Sequence, residues 1–213
     1  MAAWASNIHQ AIRSAVPDQG FQQEIDLFNL LTDEAGTPVG AGTTPVAVVS
    51  SHETLKRWAA SNVDAMYANA RLPRSLAYRE SKVAATLGIR YPSVKLHVVA
   101  KMSGASDTPR ITVTAKARNG TGALKATFTP TSVDSDGTTV LTDGTGKPLS
   151  SSLQEIVWDF FLISGTGPVY LAPGDRLDLK IVPGTHGTDT VDLYDAWLEF
   201  WGGVNTDDIS LRS

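Results

Sequence analysis

There is no cysteine among the 213 residues of this chain. That absence removes disulfide staples, thiolate metal sites and cysteine nucleophiles together, so stability has to come from packing or assembly. Charge is sparse as well: Asp, Glu, Lys and Arg make up 19% of the sequence, too few for a long charged tail or a coiled coil. No stretch approaches the roughly 18 apolar residues of a membrane span. The opening MAAWASNIHQAIRSAVPDQG lacks the basic start and continuous apolar run of a secretory signal, which leads us to expect a protein made and used in solution.

The spacings that mark common chemistries are missing too. His9, His52, His97 and His186 are scattered without close-range partners, so no metal-site spacing exists and no cofactor is implied. The DSDG run at 134–137 begins like an oxygen-rich calcium loop but lacks the later acidic positions, and reads as a turn. GTGKP at 144–148 has Pro148 where a phosphate loop needs Ser or Thr, and neither a GxSxG elbow nor a GxGxxG fingerprint occurs. These absences point away from an enzyme.

What is present is apolar content of 42%, ample for a core, and an uneven distribution of charge within a net of −4. Residues 54–110 carry 10 Lys and Arg against 3 Asp and Glu, whereas residues 111–213 carry 7 against 13. The basic residues are dispersed among apolar ones and lack aromatic interleaving, so a solvated face is expected rather than a nucleic-acid surface.

Periodicity divides the chain at about residue 93. Before it, Trp4, Ile8 and Ile12 fall at helical spacing within residues 3–16, and Phe21, Ile25, Phe28 and Leu31 continue a similar stripe as far as Gly36. A Gly/Pro-rich run at 36–46 reads as a linker. Ser50 stands three positions before Glu53, a capping-box spacing, and Leu55, Trp58, Val63 and Met66 suggest a helix ending before Pro73. Residues 74–92 fit either helix or edge strand. The expected division is an N-terminal arm with short helices over 1–45, a helical or mixed connection over 46–92, and a β domain over 93–213.

From residue 93 the period becomes two. VKLHVVAKM, RITVTAKAR, ALKATFT, TTVLT, LQEIVWDFFLI, PVYL, RLDLKIV and VDLYDAWLEFWGG are strand candidates separated by breaker clusters such as SGASDTP, TDGTGKP and PGTHGTD. No helical pattern interrupts them, so the predicted fold is mainly β, an antiparallel sandwich of jelly-roll type with a partly helical N-terminal extension. Ile156, Trp158, Phe160 and Leu162 are expected on one face of their strand. In the last strand, period two puts Tyr194, Ala196, Leu198 and Phe200 on one face and Asp195, Trp197, Glu199 and Trp201 on the other.

Trp197 and Trp201 would then stand about 13 Å apart on one face. Aromatic rings flanked by carboxylates such as Asp195 and Glu199 suit sugar recognition, because ring faces stack on apolar sugar faces while acids accept hydroxyl protons. The commoner use of such rings is to fill a core or a subunit contact. Asp195 and Glu199 also have the composition of a glycosidase pair, but that chemistry needs the acids to face one another across a bond.

VYLAPGDRLDLKIVPGTHGTDTVDLYDAWLEFW, residues 169–201, following LQEIVWDFFLISGTG, resembles the closing strands of jelly-roll proteins from tailed-phage virions. Those serve as capsid cement or decoration proteins and as head or tail appendages. The resemblance covers about the last 110 residues and carries over no functional residue. It implies a non-enzymatic virion protein, assembled in the host cytoplasm. As a homotrimer it would hold the major capsid protein, or another virion protein, through Trp4, Ile8, Ile12, Phe21 and Phe28. The alternative is a carbohydrate-binding or receptor-binding sandwich that uses Trp197, Trp201, Asp195 and Glu199.

Overall fold

Alternation of apolar and polar residues becomes strand pairing throughout the computed structural model, which describes residues 21–39, 46–50, 53–72, 78–80, 90–92, 94–160, 171 and 174–202. In chain order the strands are β1 (Phe21–Asp26), β2 (Val46–Ser50), β3 (Glu53–Trp58), β4 (Met66–Arg71), β5 (Tyr78–Glu80), β6 (Arg90–Pro92), β7 (Val94–Met102) and β8 (Arg110–Arg118). There follow β9 (Leu124–Phe128), β10 (Thr131–Val133), β11 (Val140–Leu141), β12 (Thr145–Pro148), β13 (Gln154–Asp159), β14 (Arg176–Pro183) and β15 (Val191–Gly202). One sheet runs β11-β10-β13-β7-β15-β3-β2, with β1 also paired to β15, and a second runs β12-β8-β14-β4, with β9 also paired to β8. All register pairs are antiparallel, and the two sheets enclose one apolar core in an antiparallel β-sandwich of jelly-roll type.

The strands from β7 onward follow the sequence pattern closely. In β14 the alternation leaves Leu177, Leu179 and Ile181 at 0–1% exposure while Arg176 and Lys180 face solvent. Each such side chain taken from water stabilises the fold by about 1.5–3 kcal/mol. Ile156, Trp158 and Phe160 share the buried face of β13 as expected, and Leu162 lies outside the described residues.

The helical readings over residues 21–36 and 50–72 are corrected where those residues are described. Residues 21–26 form β1, which pairs with the end of β15 from Phe21↔Gly202 to Asp26↔Trp197. A 3-10 turn at Phe28–Leu30 follows, and together these place Leu27, Phe28 and Leu31 in the core. A short helix cannot sustain itself against that long-range pairing. Ser50 and Glu53 do not cap a helix: they oppose each other across the β2–β3 hairpin, because a separation of three suits a tight turn as well as a helical one. Trp58 and Met66 are fully buried from strands, whereas Val63 sits 46% exposed in the loop between them. The linker reading falls partly outside the described residues, but Val39 is buried and its N–H donates to the Leu31 carbonyl at 2.9 Å. In the segment that fitted either element, β5 and β6 pair as a two-stranded ribbon. Residues 3–16 lie outside the described residues.

Two features lock the layers together. Trp158, fully buried on the large sheet, donates its indole N–H to the Gly144 carbonyl at 2.8 Å, and that carbonyl also accepts the Val113 N–H of the small sheet at 2.8 Å. Gly144 has φ +81°, and a Cβ there would lie 2.3 Å from the Val113 carbonyl oxygen. His186 is wholly buried with Nδ1 2.8 Å from the Gly184 carbonyl and Nε2 3.1 Å from the Ala59 carbonyl, tying two loops together.

The register of β15 contains one extra residue. Leu193 opposes Ala100 and Asp195 opposes Val99, leaving Tyr194 as a bulge. The core face therefore changes phase: Val191 and Leu193 point inward before the bulge, and Ala196, Leu198 and Phe200 after it, all at 0–3% exposure. Tyr194 itself is only half-buried, so it does not share the buried face of Ala196, Leu198 and Phe200 with which simple alternation grouped it, and its ring lies 5.1 Å from the Lys101 ammonium.

Two outcomes follow from these constraints. Gly144→Ala lowers stability by roughly 2–4 kcal/mol in urea titrations, from the left-handed backbone and the carbonyl clash. Tyr194→Ala folds, with a loss of about 1 kcal/mol, and deletion of Tyr194, which removes the extra residue and leaves Val191, Leu193, Ala196, Leu198 and Phe200 in one alternating phase, keeps a cooperative thermal transition.

Candidate functional site

Outward-facing residues of the large sheet form rows across its strands. In one row, register places Asp26 of β1, Trp197 of β15, His97 of β7 and Val157 of β13 side by side; in the next are Glu24, Glu199, Lys95 and Asp159. The Trp197 and His97 rings are stacked with centroids 4.8 Å apart and planes within 10°. That separation matches the interstrand spacing of about 4.8 Å, so the two rings stand on edge on neighbouring strands, face to face.

A carboxylate approaches each nitrogen of His97. Nδ1 lies 2.6 Å from Glu155 Oε1, and Nε2 lies 3.1 Å from Glu199 Oε2, the second contact out of line with the ring N–H. The His97 side chain is 10% exposed, so it is clamped between two acids and an indole rather than presented to solvent. One face of Trp197 is thereby covered, and the other turns toward β1.

On that side is a hollow of about 370 Å³ lined by Glu24, Asp26, Phe28, Asn29, Asp195 and Trp197. The 3-10 turn after β1 builds its wall: Asp26 accepts the Phe28 N–H at 2.8 Å and the Asn29 side-chain amide at 2.7 Å. Lys56, buried beneath, has its ammonium 5.0 Å from the Phe28 ring centre, and burial lowers its pKa against the pull of Asp26. A second hollow of about 490 Å³ lies over the β13, β10 and β11 end of the sheet, where Lys95, Lys147, Glu155, Asp159, Val133 and Val140 contribute to the lining.

Of the residues anticipated from sequence, Trp197 and Asp195 come together in the first hollow. Glu199 points instead to His97, so Asp195 and Glu199 do not face each other across a shared cleft. Trp201 pairs through its backbone with Gln22, and Phe21 with Gly202; their side chains lie outside the described residues, as do Trp4, Ile8 and Ile12 altogether. Phe28, expected as an assembly contact, is 7% exposed and packs into the core of its own chain. The sequence pattern sets His97 aside as a scattered histidine and does not single out Glu155, Glu24, Asp26 or Asn29, although the outward parity of His97 within VKLHVVAKM is a usable signal.

The wall of the second hollow is held by acids in turns. Arg110 donates to both carboxylate oxygens of Asp134, at 3.2 and 3.0 Å, and lowers its pKa. Asp136 is lowered to about 2, chiefly by the Thr139 hydroxyl 2.5 Å away and by the Thr139 and Thr138 N–H groups. The Thr145 hydroxyl, followed by its N–H, lowers the Asp143 pKa. Far from the hollows, Asp107 and Asp189 clasp two loops reciprocally. Asp189 accepts the Ser106 and Asp107 N–H groups, Asp107 accepts those of Thr188 and Asp189, and the Asp189 N–H is the main cause of the lowered Asp107 pKa. Among the described residues no three His, Asp or Glu side chains converge as metal ligands.

No protein-family model matches the sequence, and no curated protein matches it. Solved structures similar in shape include the CBM22-1–GH10 modules of Clostridium thermocellum endo-1,4-β-D-xylanase 10B complexed with xylohexaose, at 12% identity and TM-score 0.43, covering 84% of this chain and 27% of that one. A chain of infectious bursal disease virus, Gx strain, is similar at 9% identity and TM-score 0.42, covering 88% of this chain and 33% of that one. The enzymatically active domain of bacteriophage CBA120 tailspike protein 4 is similar at 7% identity and TM-score 0.35, covering 89% and 20%. The chain thus spans a third or less of each of these longer proteins.

The depressed carboxylates set a pH dependence. Their folded pKa values lie below the unfolded value near 3.9, so their contribution is complete above about pH 5 and is lost as pH falls through the folded values. Urea midpoints are expected to be level from about pH 7 to 5 and to fall between about pH 4 and 2, with Asp136→Asn removing part of that slope.

Proposed function

We propose that this protein is a non-enzymatic structural component of a tailed-phage virion, acting by surface contact as a capsid cement or decoration protein. Support for contact rather than chemistry comes chiefly from one observation: the buried acids Asp175, Asp189 and Asp192 and both described imidazoles are engaged in holding strands and loops. Asp192, 2% exposed, takes a two-pronged contact from Arg57; Asp178 is held by Arg118 and Asn69, and Asp175 by Lys125. Such ties stiffen a body without leaving a poised acid–base pair.

In this reading the protein is a homotrimer, and Trp4, Ile8 and Ile12 anchor it to the major capsid protein. Repetition on a symmetric shell multiplies a modest single contact. A second reading, a carbohydrate-binding or receptor-binding module of a head or tail appendage, is favoured by the hollow beside Trp197.

Residues 21–39 contribute a strand and core residues, so the truncation that tests anchoring stops at residue 20. Removal of residues 1–20 is expected to leave the thermal transition of the sandwich in place, and light scattering of the intact chain to give three times 22.7 kDa. Occupancy on the phage heads should fall by about tenfold or more. Full occupancy by the truncated chain rules out the anchor.

A further inference from the structure

The outer face of the large sheet carries more than one isolated ring. Both hollows open on that face, the first between β1 and β15 and the second over β13, β10 and β11, with the Trp197–His97 pair between them. From β1 to β11 there are five strand spacings, about 24 Å across. The hollows therefore line a track that crosses the strands, long enough for a chain of several units rather than one small molecule.

The lining indicates what chain. Trp197 offers an apolar ring face toward the first hollow, and that ring is held before any ligand arrives: His97 stacks on its other side, fixed by Glu155 and Glu199. A pre-set ring loses little freedom on binding. Around it Glu24, Asp26 and Asp195 present carboxylates and Asn29 an amide, while the second hollow adds the ammonium groups of Lys95 and Lys147 beside Glu155 and Asp159. A polyanion meets carboxylates at both ends of this track, and a polycation drawn to the first hollow meets two ammonium groups in the second. An uncharged chain of hydroxyl groups finds acceptors and donors along the whole length. A peptide adding to a sheet edge gains little here, because β15 and β7 are interior strands and β13 is paired with β7 along its length and with β10 at Trp158 and Asp159.

We propose that the outer face of the large sheet binds an extended, uncharged polysaccharide lying across the strands, with one sugar ring stacked on the β1-facing side of Trp197 and the chain continuing into the hollow over β13 and β10. The proposal rests on the second reading above and assigns its ligand class; it does not involve residues 1–20.

The test is affinity electrophoresis of the full chain in gels containing neutral polysaccharides (xylan, mixed-linkage β-glucan, galactomannan, galactan), the acidic polygalacturonate, or oligolysine in solution, followed by calorimetry. At least one neutral polysaccharide is expected to bind, with its long oligosaccharides about tenfold or more tighter than its monosaccharide. Trp197→Ala should weaken binding by about tenfold or more. Because that ring also supports His97, the exposed Asp195→Asn and Asn29→Ala serve as second variants, each expected to cost several-fold with an unchanged melting temperature. Binding of polygalacturonate alone overturns the ligand class but keeps the glycan reading. Absence of binding to every saccharide, or capture of oligolysine only, overturns both, as does neutral-glycan binding that none of the three substitutions alters.

Discussion

The bulge at Tyr194 is the constraint on which the rest of this sandwich depends. β15 lies at the centre of the large sheet and is paired along its length with β7; its other edge is paired first with β3 and then with β1. One inserted residue where that edge changes partner lets both halves bury their apolar side chains, although those side chains occupy odd positions before it and even positions after. Had the phase of Val191 and Leu193 continued, Trp197 and Glu199 would face the core and Leu198 and Phe200 the solvent. The same irregularity therefore closes the core and turns the indole outward.

Around that strand, charge serves mainly to position. The interlayer tie from Trp158 to Gly144 and the reciprocal Asp107–Asp189 clasp each satisfy polar groups that burial would otherwise penalise, and the buried His186 bridges two loops through a ring N–H donated to a carbonyl. The clamp on His97 belongs to the same class but has an outward consequence: two carboxylates fix an imidazole, the imidazole backs an indole, and the indole forms one wall of a hollow. Rigidity and surface presentation are thus products of the same contacts.

Much of the β body was legible in the sequence, and the reason is local. In VKLHVVAKM, RITVTAKAR and RLDLKIV, strict alternation leaves one way to bury the apolar set, and the turn residues between them fall where strands must end. The N-terminal half was misread for an equally physical reason. Phe21, Ile25, Phe28 and Leu31 satisfy a helical stripe on paper, yet a strand followed by a 3-10 turn buries Leu27, Phe28 and Leu31 once β15 is available as a partner. The Ser50–Glu53 spacing fits a helix cap and a hairpin alike, and pairing partners far along the chain decided between them.

By itself, then, the sequence determined an all-antiparallel sandwich from residue 93 onward, the shared face of Asp195, Trp197 and Glu199, and the absence of a familiar catalytic spacing, because each depends on near neighbours in the chain. Tertiary structure alone decided that β1 to β4 join both sheets, that Tyr194 bulges, that Glu199 turns to His97 while Asp195 faces a hollow, and that Phe28 is internal. Those outcomes depend on which strands lie side by side, and strand partnership is set by contacts between residues as far apart as Asp26 and Trp197, which no local pattern encodes.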